Sequence, residues 1–373
     1  MAILDQLREP KGPYKLKGVG TPEYYLGGDV KVKYCGDIIE YLELSAKTYI
    51  KRVTTKLESL MEWRLKHFAS PEDPDYHPEV DESPFLIGDD IAKYRMMVGS
   101  LNWLITLGRY DVHHASVTLA RYMMIPREGH MKAMERVFGY LKSYPKFSIK
   151  FDTDMADHSG YNVEKYDWFP MYEGAKEEMP FGMPTPKGKP VNTSGFFDAS
   201  HACCLQTRRS MSCVLIFLGK TPILWFAKRQ STVESSTFGS ECVAGRIAVD
   251  LAVEIRYKLR MLGAPIIGST LLFGDNQSMV LQVTRPHSVL KKRHQANNYH
   301  RVREAVAAGI VSIVHCASGW NLADMGTKAL PGNVHQRLLL NQVLPPFQCS
   351  RECWNKKFPP CTRGASRTSK YLR

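Results

Sequence analysis

No stretch of the chain approaches the roughly 18 uninterrupted apolar residues of a membrane-spanning helix, and Met1-Ala2-Ile3-Leu4-Asp5-Gln6 lacks the apolar centre of a secretory leader. The expectation is a soluble, intracellular chain with no membrane partner. Clustered cysteine is lacking as well: the nine present are scattered, and in a reducing compartment they read as thiols buried as small hydrophobes. Cys349, Cys353 and Cys361 lie closer together, but no fourth ligand stands at zinc spacing, so no zinc site is expected there. Acid is scarce relative to base. The 50 Lys and Arg against 37 Asp and Glu leave a formal net charge of +13, which points to a polyanionic partner, nucleic acid ahead of an anionic membrane.

What is present changes character along the chain. A length of 373 residues suggests two or three domains. Pro22 to Val32 looks like a strand entered through Gly27-Gly28. Leu44 to Leu65 is helical in pattern, with Tyr49, Val53, Leu57, Leu60 and Met61 recurring at helical steps. After a loop over 69–90 rich in Pro, Asp and Glu, Met97, Leu101, Leu104 and Ile105 share one helical face, and Val112, Ala115, Leu119 and Tyr122 share another. Met134, Val137, Phe138 and Leu141 line a third helix from about Gly129 to Lys142. Residues 1–151 therefore read as a mainly helical unit. Residues 152–191 carry eight acids against four lysines together with five prolines, and read as a mobile tether marking a domain boundary. An α/β unit is expected over 192–345. The basic tail, 346–373, should be disordered.

The α/β unit is organised around Ser194 to Ala244. Three strand-like runs end in Asp198, in Leu218 and near Phe226, the last two separated by the turn Gly219-Lys220-Thr221-Pro222. A long helix follows over Ser235–Leu262, with Val243, Ile247, Leu251, Ile255 and Leu259 on one stripe and Ala244, Ala248 and Ala252 beside them. Further strands are expected at Ser269–Phe273 and Ile310–His315, and helices at His294–Ala308 and Val334–Leu344. Asp198 and Asp275 close apolar strands, where a sheet presents side chains to a crevice. Glu241 lies near the start of the long helix, backed by small residues that let it approach the sheet. With Asp324 these make four carboxylates, enough to hold a pair of Mg²⁺ ions about 4 Å apart. Hard oxygen donors suit Mg²⁺ or Mn²⁺ and not zinc. Each acid alone has an ordinary role as a turn former, cap or helix-dipole partner. Their order and context together argue for a site.

That order, Asp, Glu, Asp, Asp on strand, helix, strand, helix, is similar to ribonuclease H. The local wording resembles the polyprotein of copia-type retrotransposons, in Phe197-Asp198-Ala199-Ser200, Lys228-Arg229-Gln230-Ser231, Ser235-Ser236-Thr237, Asp275-Asn276-Gln277-Ser278, Tyr299-His300-Arg301-Val302 and Leu322-Ala323-Asp324-Met325-Gly326-Thr327-Lys328. Upstream, Tyr24-Tyr25-Leu26-Gly27-Gly28 and Tyr94-Arg95-Met96-Met97-Val98-Gly99-Ser100-Leu101 resemble the part of that polyprotein following the polymerase palm. The resemblance covers about residues 12–345. It implies a ribonuclease H-like mixed sheet flanked by helices, preceded by a reverse-transcriptase thumb and connection remnant. It also implies hydrolysis of the RNA strand of an RNA–DNA hybrid to leave a 5′-phosphate, with Asp198, Glu241, Asp275 and Asp324 as catalytic metal ligands for two Mg²⁺ or Mn²⁺ ions. The implied partners are the hybrid and the remainder of the polyprotein, in a cytoplasmic virus-like particle or the nucleus.

Other residues complete the reading. Gln277 resembles a substrate-contacting position, where an amide can address the 2′-hydroxyl. Arg208, Arg209, Lys228 and Arg229, together with Lys291, Lys292 and Arg293, are placed to track phosphates. His315 stands nine residues before Asp324, near where such enzymes carry a proton-transferring His, but its place in a strand favours a packed role. There are departures too. The family's Glu-Ala-Glu after Ser-Ser-Thr is Phe238-Gly239-Ser240-Glu241 here, and its Lys-His-Ile-Asp is Arg293-His294-Gln295-Ala296. No Tyr-x-Asp-Asp is present, and Asp89-Asp90 is no substitute, so polymerase activity is not expected. Two alternatives stand beside the nuclease: a catalytically decayed nucleic-acid-binding remnant, and a transposase or integrase of related fold. The latter needs its Glu last in chain order, whereas Glu241 comes second.

Overall fold

In the computed structural model of the chain, the described residues are 21–343 apart from 153, 162 and 291. The expected disordered tail, the three clustered cysteines and Lys291 lie outside them.

The first part of the chain is less helical than its sequence suggests. Strands β1 (Tyr24–Tyr25), β2 (Gly28–Cys35), β3 (Ile38–Ser45) and β4 (Ser148–Asp152) form an antiparallel sheet in that order. Gly36, at φ +61°, lets the chain reverse between β2 and β3 in a two-residue turn, which sets Val30 opposite Leu44 and Val32 opposite Leu42. Helices α1 (Lys47–Met61), α2 (Asp89–Thr106), α3 (His113–Ala120) and α4 (Glu128–Ser143) intervene before β4. Their apolar stripes make one core, in which Ile50, Leu57, Met97, Leu101, Leu104, Met134, Val137 and Phe138 are buried. Each such side chain contributes about 1.5–3 kcal/mol by leaving water.

The second part holds the mixed sheet expected of it. Strands β5 (Thr193–Ser200), β6 (Met211–Leu218) and β7 (Thr221–Arg229) form an antiparallel meander, and α5 (Thr237–Met261) crosses to β8 (Thr270–Gly274), which runs parallel to β5. Helices α6 (Gln277–Thr284) and α7 (Ala296–Ala307) lead to β9 (Val311–His315), parallel to β8, and α8 (Gly332–Val343) closes the described chain. The strand order is β7-β6-β5-β8-β9.

Both sheet faces are covered. Phe197, Val214, Ile216 and Leu272 pack under α5, α6 and α7 against Ala244, Ala248, Met279 and Tyr299. The neighbours of alternate parity, Phe196, Leu215, Phe217 and Phe273, face Tyr110 and Ile149 of the first part together with Leu322, Met325 and Leu338. The joint is specific as well as apolar. The Trp225 indole N–H donates to the carbonyl of Ile105 at 3.0 Å, and the rings of Tyr110 and Trp225 lie 5.4 Å apart. His335 donates from Nε2 to the Asp111 carbonyl at 3.0 Å, while the buried Asp111 carboxylate accepts from Arg109 at 2.7 Å and from the Tyr140 hydroxyl at 2.8 Å.

The acidic segment between the two parts has no helix or strand among its described residues from 154 to 190, yet it is packed against the α/β unit and is not a free tether. Glu177 accepts from Arg256 at 2.8 Å and from Arg260 at 2.6 Å, and Tyr161 sets its ring edge on Phe273 at 4.8 Å. The reason is electrostatic: α5 carries buried Arg256 on this side, and an arginine taken from water requires a carboxylate partner.

Candidate active site

Three elements aim carboxylates at one point. Asp198 is the sixth residue of β5, buried and registered against Cys213 of β6. Glu241 is the fifth residue of α5, which starts cleanly because the Ser236 hydroxyl caps it by accepting from the Gly239 amide at 3.3 Å. The slipped match after Ser-Ser-Thr therefore still delivers the glutamate inward, and Phe238 is absorbed at the edge of the core. Close approach of helix to sheet needs small residues. Ala244 and Ala248 are fully buried, and a Cβ on Gly245 would run into the end of Met279. Asp275 follows Gly274 at the end of β8, where a Cβ would strike the ring of Phe197. Asn276 then caps α6 by accepting from Met279 N at 3.0 Å.

Asp198, Glu241 and Asp275 each offer an oxygen, all within 4.8 Å of one another. Asp324 is outside this triplet. It sits in a short 3-10 turn, Leu322–Gly326, tied to β5 by Asn321, which donates to the Phe197 carbonyl at 2.9 Å and accepts from Ala323 N at 3.1 Å. The Lys328 ammonium holds Asp324 at 2.7 Å and reaches Asp198 at 3.3 Å, and the Thr327 hydroxyl also donates to Asp198.

The electrostatics of the cluster are unfavourable as they stand. Burial first, then Asp198 and Asp275, push the Glu241 carboxyl well above the usual carboxylate range. Burial and Asp198 raise Asp275 in the same way, and the same two causes bring Asp324 up to about 7. Burial opposes the Lys328 charge, but Asp198 and Asp324 outweigh it and raise the ammonium. One oxygen of Glu241, Oε2, is buried with no hydrogen-bond partner. Such an orphan is costly unless something cationic or a donor meets it. An all-oxygen donor set of mutually repelling carboxylates with an unmet lone pair fits a hard divalent cation, Mg²⁺ or Mn²⁺, and these acids could hold one.

The remaining expected residues fall around this point. The ladder pairs Ser200 with Met211 and Met211 with Arg229, so Lys228 and Arg229 stand at the same sheet end as Asp198. Lys228 is exposed and Arg229 half-buried. Arg208 and Arg209 lie in the β5–β6 connection, Arg208 exposed at φ +54°, a backbone state that non-glycine residues rarely adopt. Gln277 is exposed as the first residue of α6. Lys292 is drawn to the Ser236 hydroxyl, and Arg293 is exposed. His315 is not packed as its strand suggested. It is exposed where β9 ends, and Nε2 donates to the Asp275 carbonyl at 3.2 Å.

Sequence reasoning passed over Lys328, Thr327 and Asn321. The signal was available: in a tight helical turn, positions three and four beyond Asp324 return to its side. It also missed the buried polar set behind Glu241, in which Gln230 donates to Ser212 Oγ at 2.8 Å and to the Ser240 carbonyl at 2.9 Å, while Gln295 donates to Glu234.

No model of a known protein family matches the chain. Curated proteins do match. The retrovirus-related Pol polyprotein from transposon RE1 of Arabidopsis thaliana is 26% identical over 252 residues, 66% of this chain and 14% of that protein. The one from transposon TNT 1-94 of Nicotiana tabacum is 23% identical over 240 residues, 64% of this chain and 15% of that protein. An uncharacterized mitochondrial protein of Arabidopsis thaliana is 25% identical over 228 residues, covering 61% of this chain and 76% of its own length. The chain thus spans about 14% of the length of the polyproteins it matches. Among solved structures, the RNase H1 of the halophilic archaeon Halobacterium salinarum overlays with a TM-score of 0.29 and 16% identity, covering 36% of this chain and 94% of that chain. A foamy viral protease-reverse transcriptase in complex with RNA/DNA hybrid gives a TM-score of 0.30 and 10% identity, covering 66% of this chain and 28% of that one.

Proposed function

From homologues that are retrovirus-related Pol polyproteins of copia-type plant transposons, we propose that this chain carries a ribonuclease H-type nuclease that hydrolyses the RNA strand of RNA–DNA hybrids. The observation that carries the proposal is the convergence of Asp198, Glu241 and Asp275 within 4.8 Å. Residues 1–151 are assigned in this reading to the thumb and connection region of the polyprotein, whose described residues Tyr110 and Ile149 pack on the second face of the nuclease sheet.

In this reading Asp198, Glu241 and Asp275 hold the divalent cation, and Asp324 completes the acidic set. The bound metal supplies a water nucleophile at neutral pH and charge stabilisation at the leaving oxygen. The protein's own part is positional. Buried Asp198 is fixed by Thr327 and Lys328, Asp275 by the end of β8, and Glu241 by the capped start of α5. His315, hydrogen-bonded to the Asp275 backbone at the exposed rim, is placed to carry a proton away from the phosphate. Arg208, Arg209, Lys228 and Arg229 supply cationic contacts for the backbone, and Gln277 reads the strand being cut. Phosphate contacts position without specifying, so hybrid preference rests on Gln277.

The test is cleavage by the purified chain with Mg²⁺, offering hybrid, duplex DNA, duplex RNA and single-stranded RNA in parallel. RNA cleaved in the hybrid alone, lost with EDTA and lost in Asp275→Asn with hybrid binding retained, is the expected result. Wild-type protein that binds hybrid yet never cuts with Mg²⁺ or Mn²⁺ would assign the chain to a decayed, nucleic-acid-binding remnant.

A further inference from the structure

Lys328 is the single cation ion-paired to the acidic cluster among the described residues. Its ammonium lies 2.7 Å from Asp324 Oδ1 and 3.3 Å from Asp198 Oδ2. The other carboxylates that converge there, Glu241 and Asp275, make no ion pair among the described residues. The cluster is thereby divided. Three acids face one another within 4.8 Å with a buried orphan oxygen, whereas the fourth, Asp324, is turned to the lysine, which bridges it to Asp198. The lysine is not locked in. Its side chain is 37% exposed, it springs from the residue after Thr327 at the end of a short turn, and its four-carbon stem can move the ammonium several ångströms by rotamer change.

Resting on the metal-dependent nuclease reading above, we infer that Lys328 is a tethered counter-cation standing between Asp198 and Asp324 where a second divalent ion would have to bind, so that it orders the loading of the site. The first ion enters at Asp198, Glu241 and Asp275, where only Asp198 is shared with the ammonium, at 3.3 Å, and its other oxygen is left to the ion. The second must displace the ammonium from between Asp198 and Asp324, and its affinity is lowered by the cost of that displacement. Lys328 is a positioning residue in this account. It keeps Asp324 beside Asp198 before loading, and it withdraws to the exposed rim afterwards. A simple ion pair serving only stability would lower the folding free energy when removed, but it would leave the spacing between two metal affinities unchanged.

Titration of the 373-residue chain with Mn²⁺, followed by calorimetry and by the paramagnetic signal of the free ion, separates these cases. Wild type should take one Mn²⁺ first and a second at least tenfold more weakly. In Lys328→Met the second affinity should rise by tenfold or more while the first changes by less than threefold. The Mg²⁺ concentration giving half-maximal hydrolysis should fall with it. Lys328→Arg should retain the wild-type spacing, and Lys328→Gln, which still hydrogen-bonds Asp324, should follow Met and guards against a folding defect in the Met variant. Isotherms of Met and Gln that superimpose on wild type, or that tighten both sites equally, overturn the inference and leave the nuclease reading intact. Wild type that takes up no Mn²⁺ at all overturns both.

Discussion

Replacing Glu241 by glutamine should move stability in opposite directions with and without metal. Without it, the ionised Glu241 carboxylate faces Asp198 and Asp275 within 4.8 Å inside the protein. At an effective dielectric of about 20, each such pair of full charges repels by about 3 kcal/mol. The carboxyl escapes part of this by holding a proton, the direction in which burial and the two aspartates push it, so neutralising it at pH 8 relieves only a part of that repulsion. Glutamine preserves the shape, and its amide N–H groups can donate to the two aspartates that flank it. Urea unfolding in EDTA should therefore show Glu241→Gln more stable than wild type. Adding Mg²⁺ at about 100 times its Kd should stabilise wild type by about 2.7 kcal/mol and the variant by far less, because a ligand charge is gone. The order of the two proteins should cross. A variant that is less stable in EDTA, and that gains as much from Mg²⁺ as wild type, would refute the reasoning.

Three further outcomes are expected. Asp324 titrates at about 7, and Glu241 and Asp275 are also raised. Between the ordinary carboxylate range and pH 7 these three carboxyls hold protons that the unfolded chain has released, so their contribution to metal-free stability falls as pH rises through that window, whereas His113, His130, His158 and His335, held below the usual imidazole range by burial, contribute in the opposite sense. Melting in EDTA from pH 5 to 8 should therefore show wild type losing stability relative to Asp324→Asn as pH rises, Mg²⁺ should stabilise wild type more at pH 8 than at pH 6, and a difference between the two proteins that does not change with pH would contradict the cluster. Asp111→Ala strands the buried Arg109 guanidinium and should cost about 3–5 kcal/mol in urea unfolding; a loss under about 1 kcal/mol would mean the pair is solvated. Arg208→Gly removes a strained left-handed residue and should raise stability by about 1 kcal/mol. The same change should weaken hybrid binding and lower the salt slope by about one, and unchanged binding would remove Arg208 from the interface.

The parts of the fold that were legible are those whose signal is local. The meander of β5, β6 and β7 alternates or runs apolar between clear turns, and α5 shows its four-residue stripe, so its expected span of Ser235–Leu262 differs from Thr237–Met261 by no more than two residues at either end. The convergence of Asp198, Glu241 and Asp275 was legible because motif order carried it, while Asp324 stands outside the triplet. The first sheet was not, because β4 pairs with β3 across about a hundred intervening residues, and no window of sequence contains both partners. The start of the first helix was set at Leu44, inside β3, since an apolar run that short reads equally as strand or helix. The docked face is hidden for a related reason. Phe196, Leu215 and Phe273 look like ordinary inward residues, and nothing local says that Tyr110 and Ile149 will meet them. Glu177 looked like one acid among eight in a polar segment until Arg256 and Arg260 were placed beside it.

The central claim, that Asp198, Glu241 and Asp275 are one metal site, is tested most directly by crystals grown with Mn²⁺ and measured for anomalous scattering. A strong peak enclosed by these three carboxylates, touching the orphan Oε2 of Glu241, is the expected result, together with its loss in Asp275→Asn. A cluster that stays empty at millimolar Mn²⁺, or a peak that persists unchanged in Asp275→Asn, would contradict it.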